Sequence, residues 1–254
     1  MRDGERRLRE LLDYAEASDD VLGVFVFGSR GRVDGLADDA SDYDVAVVLR
    51  DDADVEAFDS RWPYVHGATV EVARSTLSEL RAAGEPGTPS AWSRPMYAAV
   101  DVRLDKTAEL ATVLDEKRTL PNEGREALAR ESLDAYVNAN YRSLRYRLVG
   151  AQAGARLDAA ESVPPLLTFL FADEGRVRPF NKYLEQELRE RPVAGGAITI
   201  DDVTALLDGD PARQQAVFRE VERVARVRGL GDVLDAWEPD LAFLRGDAPY
   251  RATG

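Results

Sequence analysis

The stretch that most restricts the fold runs from Val21 to Leu49. Two runs of β-branched and aromatic residues, 21–27 and 43–49, bracket a polar loop. Each reads as a strand. The first ends on Gly28-Ser29, and Asp42-Tyr43-Asp44 opens the second. On an extended chain residues i and i+2 share a side. Asp42 and Asp44 therefore project together, with Tyr43 opposite. Two like charges at the head of an apolar strand repel each other and lose hydration. A divalent cation bound to both removes that conflict. Hard oxygen donors suit Mg²⁺, which takes carboxylates together with phosphate oxygens and water. The pattern thus predicts a metal, and through the metal a nucleotide. A glycine after a strand lets backbone N–H groups approach phosphate, and a serine hydroxyl adds a donor. Arg30 and Arg32 follow closely enough to neutralise phosphate charge.

Further along, residues 68–73 (ATVEVA) alternate like a third strand and carry Glu71 in the middle. Glu71 would complete a metal site or take the proton from an attacking hydroxyl. Asp101 and Asp105, flanking a strand expected over 96–104, are alternatives for that third carboxylate. STLSEL from Ser75 reads as a cap and a helix start. Residues 84–93, with two Gly and two Pro, read as a loop. The texture then turns helical. Leu133, Val137, Tyr141, Leu144 and Leu148 line one face of a long helix. A second helix over 151–172 is expected to kink at Pro164-Pro165. The predicted class is α+β: a mixed sheet with flanking helices in residues 1–117, then a helical bundle in 118–254.

Composition narrows the chemistry. The 254 residues contain no Cys and one His, His66, so a thiol nucleophile is excluded and a zinc site is not expected. A structural role suits His66 better. The formal charge of −14 argues against broad nucleic-acid binding. An acidic cleft would attract a cationic acceptor. No apolar run reaches membrane-spanning length, and the charged N-terminus is no signal peptide, so a cytoplasmic location is expected.

Gly28-Ser29, twelve intervening residues and Asp42-Tyr43-Asp44-Val45 resemble the signature of the nucleotidyltransferase superfamily that includes DNA polymerase beta. The SRGR and SDYD elements look most like its antibiotic-modifying and minimal branches. That resemblance implies transfer of a nucleoside monophosphate, AMP from ATP first, to an acceptor hydroxyl with release of pyrophosphate. It implies one or two Mg²⁺ held by Asp42 and Asp44 with Glu71 as third carboxylate, and triphosphate binding by Gly28, Ser29 and Arg30. The segment 175–188 is similar to one in streptomycin-adenylating enzymes where a Lys reaches the phosphates, and Lys182, one of three lysines, matches it with a shifted spacing. No acceptor-binding motif carries over from the resemblance; the two-domain layout and the acidity point first to a small aminoglycoside-like acceptor, and the alternatives are a protein partner, as for antitoxin-type enzymes, or a nucleotide-binding regulatory module without turnover. Members of the superfamily often form homodimers.

Overall fold

The computed structural model describes residues 3–32, 37–85 and 88–250. Residues 33–36 of the loop before Asp42, and 86–87 of the Gly/Pro segment, lie outside them. The chain divides into two compact units, Met1–Thr119 and Leu120–Gly254. The sequence reading placed the boundary after residue 117. Among the described residues no helix is long and apolar enough to cross a membrane.

The first unit runs α1 (Asp3–Ala17), β1 (Val21–Phe27), β2 (Tyr43–Leu49), α2 (Val55–Arg61), β3 (Val70–Thr76), α3 (Leu77–Ala82), a 3-10 segment (Ala91–Ala98), β4 (Asp101–Asp105) and α4 (Glu109–Arg118). The strands form one mixed sheet in the order β3-β2-β1-β4. β1 is antiparallel to both neighbours, and β2 is parallel to β3. A parallel pair needs a crossover, which α2 supplies; Asp54 caps it by accepting from the Ala57 N–H. Thr76 and Glu79 form the capping box that starts α3. The expected strand over 96–104 shortens to β4, because Pro95 and its neighbours are wound into the 3-10 segment.

Alternation divides the strand residues between two cores. Val24, Val26, Val45, Val47, Val70 and Val72 pack under Leu8, Leu11 and Ala15 of α1 and Phe58 of α2. Phe25, Ala46 and Val48 face Leu80 of α3, Tyr97, and Leu110 and Leu114 of α4. Full burial of each such side chain contributes roughly 1.5–3 kcal/mol. β4 forms one border of the sheet, and its sequence, Asp101-Val102-Arg103-Leu104-Asp105, alternates charge with apolar side chains.

The second unit contains α5 (Asn122–Leu148), α6 (Gln152–Asp173), α7 (Asn181–Glu190), α8 (Ile200–Leu207), α9 (Pro211–Val227) and two short helices, Gly231–Asp235 and Leu241–Arg245. Leu133, Tyr136, Val137, Phe169, Leu170, Phe218 and Val221 are central to its core. α5 and α6 pack along one another. The double proline does not break α6, which continues through residues 164 and 165. The buried stripe of α5 also differs from the expected face. Leu148 is 61% exposed, whereas Tyr136 is fully buried. Leu148 ends the helix and lies beyond the packed turns, while positions 133, 136, 137, 140, 143 and 144 fill the interior. Glu222 of α9 is a buried acid that accepts from Arg245 Nε and Nη2, both at 2.6 Å, and from Arg226 Nε at 2.9 Å.

Candidate active site

β1 ends and the chain turns at once. Gly28, Ser29, Arg30 and Gly31 form a tight turn closed by the Gly31 N–H donating to the Phe27 carbonyl at 3.1 Å. Gly28 adopts φ +66°, a conformation that L side chains rarely take, and a Cβ there would stand 2.1 Å from Asp44 Oδ2. The glycine therefore serves two needs: it permits the turn, and it lets the backbone close on the Asp44 carboxylate. Ser29 is buried within the turn.

Phe27 is the β1 partner of Asp44, and Glu71 is its partner on β3. Partners in register share a side of the sheet, so Asp44 and Glu71 lie together on the face that continues into Ala46 and Val48. Asp42 is exposed and sits one residue before β2 begins. Tyr43 faces the other way. The Arg30 guanidinium stands over its ring, 4.4 Å from the centroid, and donates to the carbonyls of Ser41 and Asp38, each at 2.9 Å. The structure thus employs Arg30 to hold the loop that leads into Asp42.

Glu71 is closely coordinated. Its Oε1 accepts from the Gly67 N–H at 2.5 Å and lies 3.3 Å from His66 Nδ1; its Oε2 accepts from Tyr64 Oη at 3.0 Å. The Glu71 side chain is only 12% exposed. The Gly67 N–H, with help from Tyr64 and His66, holds its carboxyl below the ordinary glutamate value. Tyr64 is pushed the other way, first by its bond to Glu71, then by burial, then by the charges of Glu71 and Asp44. Asp44 is thus within electrostatic reach of the Tyr64 hydroxyl.

Among the described residues no group of three or more Asp, Glu or His side chains is placed to hold a metal ion. Asp42, Asp44 and Glu71 are thus not drawn together as a ready cage among the described residues. The reason lies in the 64–67 loop, whose donors occupy both oxygens of Glu71. Asp42 and Asp44 remain as a pair of hard oxygen donors at a strand head, beside a turn shaped to the Asp44 carboxylate. One or two carboxylates completed by substrate phosphates and water is the donor set that Mg²⁺ takes. The residues present fit that ion with two protein ligands.

The other expected residues are dispersed. Asp101 is opposite Val26, on the α1 side of the sheet, and pairs with Arg103 at 2.7 Å. Asp105 accepts from the Thr107 and Ala111 N–H groups at the start of α4. Neither can stand in for Glu71. Lys182, in the second unit, is exposed near the start of α7, with Nζ 5.6 Å from the centroid of the Tyr183 ring. Sequence reasoning passed over Tyr64 and gave His66 only a structural part. The available signal was an exposed aromatic in a polar link, with a glycine between it and a strand carboxylate.

The fold is that of an α+β protein with a four-stranded mixed sheet and a helical second unit, and its candidate site is a Gly-Ser turn closed on a strand carboxylate. No family model matches the chain, and no curated protein does. Among solved structures it is similar to a nucleotidyltransferase-like protein from Exiguobacterium sibiricum 255-15, at 13% identity and a TM-score of 0.43. The match covers 95% of this chain and 77% of that one.

Proposed function

We propose that the first unit is a Mg²⁺-dependent nucleotidyltransferase that moves a nucleoside monophosphate, AMP from ATP first, to an acceptor hydroxyl and releases pyrophosphate. The observation that carries this reading is the closure of the Gly28 turn on Asp44, with Glu71 in register beside it. An apolar strand that presents carboxylates to a backbone turn is costly unless cation and phosphate are to be bound there. Bound Mg²⁺ would join Asp42 and Asp44 to phosphate oxygens and offset the charge that develops on them.

The chain's own residues do the rest. The backbone of Gly28 and Ser29 lies against the phosphates. Arg30 fixes the loop that delivers Asp42. Glu71, kept ionised by the Gly67 N–H, is suited to accept a proton from an approaching hydroxyl rather than to serve as a third ligand. The acceptor favoured by the acidity of the chain is a small cationic, aminoglycoside-like molecule. Lys182 is retained as a phosphate contact, tested by Lys182→Ala.

Calorimetric titration with Mg-ATP is the first test. The parent should bind, and Asp42→Asn, Asp44→Asn should lose that binding with its fold intact by circular dichroism. Equal affinity in both would remove the reading. Labelled ATP with an aminocyclitol panel or with lysate then shows whether label enters small molecules or protein.

A further inference from the structure

We propose that Tyr64 is itself an acceptor, a phenol that this protein loads with a nucleoside monophosphate. This rests on the nucleotidyltransferase reading above and adds to it a modification site within the same unit. Tyr64 lies in the link between α2 and β3 and is 60% exposed. Its hydroxyl is nonetheless held at 3.0 Å from Glu71 Oε2. That is the position an acceptor hydroxyl must take toward its general base, within hydrogen-bond reach of the group that removes its proton. Glu71 is in turn the register partner of Asp44. Gly67, at φ +77°, aims its N–H at the other Glu71 oxygen and fixes the carboxylate beside the Tyr64 hydroxyl.

The step balances without a further reagent. A lone pair of Tyr64 Oη forms a bond to the α-phosphorus of a nucleoside triphosphate. The bond from that phosphorus to the oxygen bridging the β-phosphate breaks, and its electron pair leaves with pyrophosphate. The phenolic proton passes to Glu71 Oε2. The product is a tyrosyl phosphodiester at residue 64. Once modified, Tyr64 can no longer donate to Glu71 and adds negative charge beside two carboxylates. Each Tyr64 therefore takes a single nucleoside monophosphate.

The test is intact-mass and peptide mass spectrometry of the full chain after incubation with Mg²⁺ and each of the four ribonucleoside triphosphates. The expected result is a gain of one nucleoside monophosphate on the peptide that carries Tyr64, absent in Tyr64→Phe and in Glu71→Gln. Mg-ATP binding, followed by calorimetry, should persist in Tyr64→Phe and be lost in Asp44→Asn. If binding behaves so while the parent gains no mass, or gains it elsewhere, the assignment of Tyr64 falls and the parent reading stands. If no nucleotide binds, both fall. A metal-free readout is independent of turnover: N-acetylimidazole should acetylate Tyr64 more slowly in the parent, where the phenol is engaged by the Glu71 carboxylate, than in Glu71→Gln. Equal rates would overturn Glu71 as the base for this phenol.

Discussion

Asp44 of β2 and Glu71 of β3 are partners across the parallel half of the sheet, so two carboxylates share one face. They are supported differently. Asp44 has the Gly28 turn against it, whereas Glu71 is held by the 64–67 loop. The roles proposed for them, metal ligand for the first and proton acceptor for the second, rest on those surroundings.

Gly28→Ala tests the turn. The left-handed backbone alone costs an alanine about 1–2 kcal/mol, and the new methyl would collide with Asp44 Oδ2. Urea unfolding should show at least that loss. Mg-ATP affinity should fall with it, because the Asp44 carboxylate is displaced.

Arg30→Lys tests the loop. A lysine keeps the charge but cannot donate to the Ser41 and Asp38 carbonyls while stacking on Tyr43. Stability should drop by about 1 kcal/mol. Limited proteolysis should then cut more readily between residues 37 and 42.

Glu222 sets an acid limit on the second unit. Its bonds to Arg245 come first among the causes, ahead of those to Arg226, that hold its carboxyl below the ordinary value of 4.5. A depressed folded value stabilises the protein above the ordinary value, and that stabilisation is lost as pH falls through it. Glu222→Gln should cost on the order of 2 kcal/mol at neutral pH. The difference from the parent should shrink in acid, as read by urea unfolding at both conditions.

Tyr136→Phe should stabilise the protein. The ring is fully buried, and among the described residues its hydroxyl finds no hydrogen-bond partner. A buried polar group without a partner costs about 1 kcal/mol or more. Removing it while keeping the ring should raise the unfolding midpoint; a lower midpoint would reveal a water bound to that oxygen.

The strands of the first unit were legible because β-branched runs and turn residues are local signals. The Gly-Ser turn and the Asp-x-Asp pattern were legible for the same reason. The pairing of Asp44 with Glu71 was not, since register across a crossover depends on long-range packing. The engagement of Glu71 by Tyr64 and Gly67 was hidden likewise, because a loop's path is set by the strand it returns to. In the second unit, helical periodicity located α5 but misjudged its buried stripe. A helix packed on more than one side buries Tyr136, Asn140 and Ser143, which a single amphipathic face does not anticipate. Pro164 and Pro165 read locally as a kink within one helix, and α6 does run through both as a single helix.

The outer position of β4 has a consequence for how this protein behaves in company. A border strand offers unpaired amide and carbonyl groups to any passing extended chain. β4 is short and carries Asp101, Arg103 and Asp105 at alternate places, with Arg103 tied to Asp101. An incoming strand would have to strip water from those ions to dock. Charge thereby discourages growth of the sheet at that border, a safeguard against fibril formation and strand exchange.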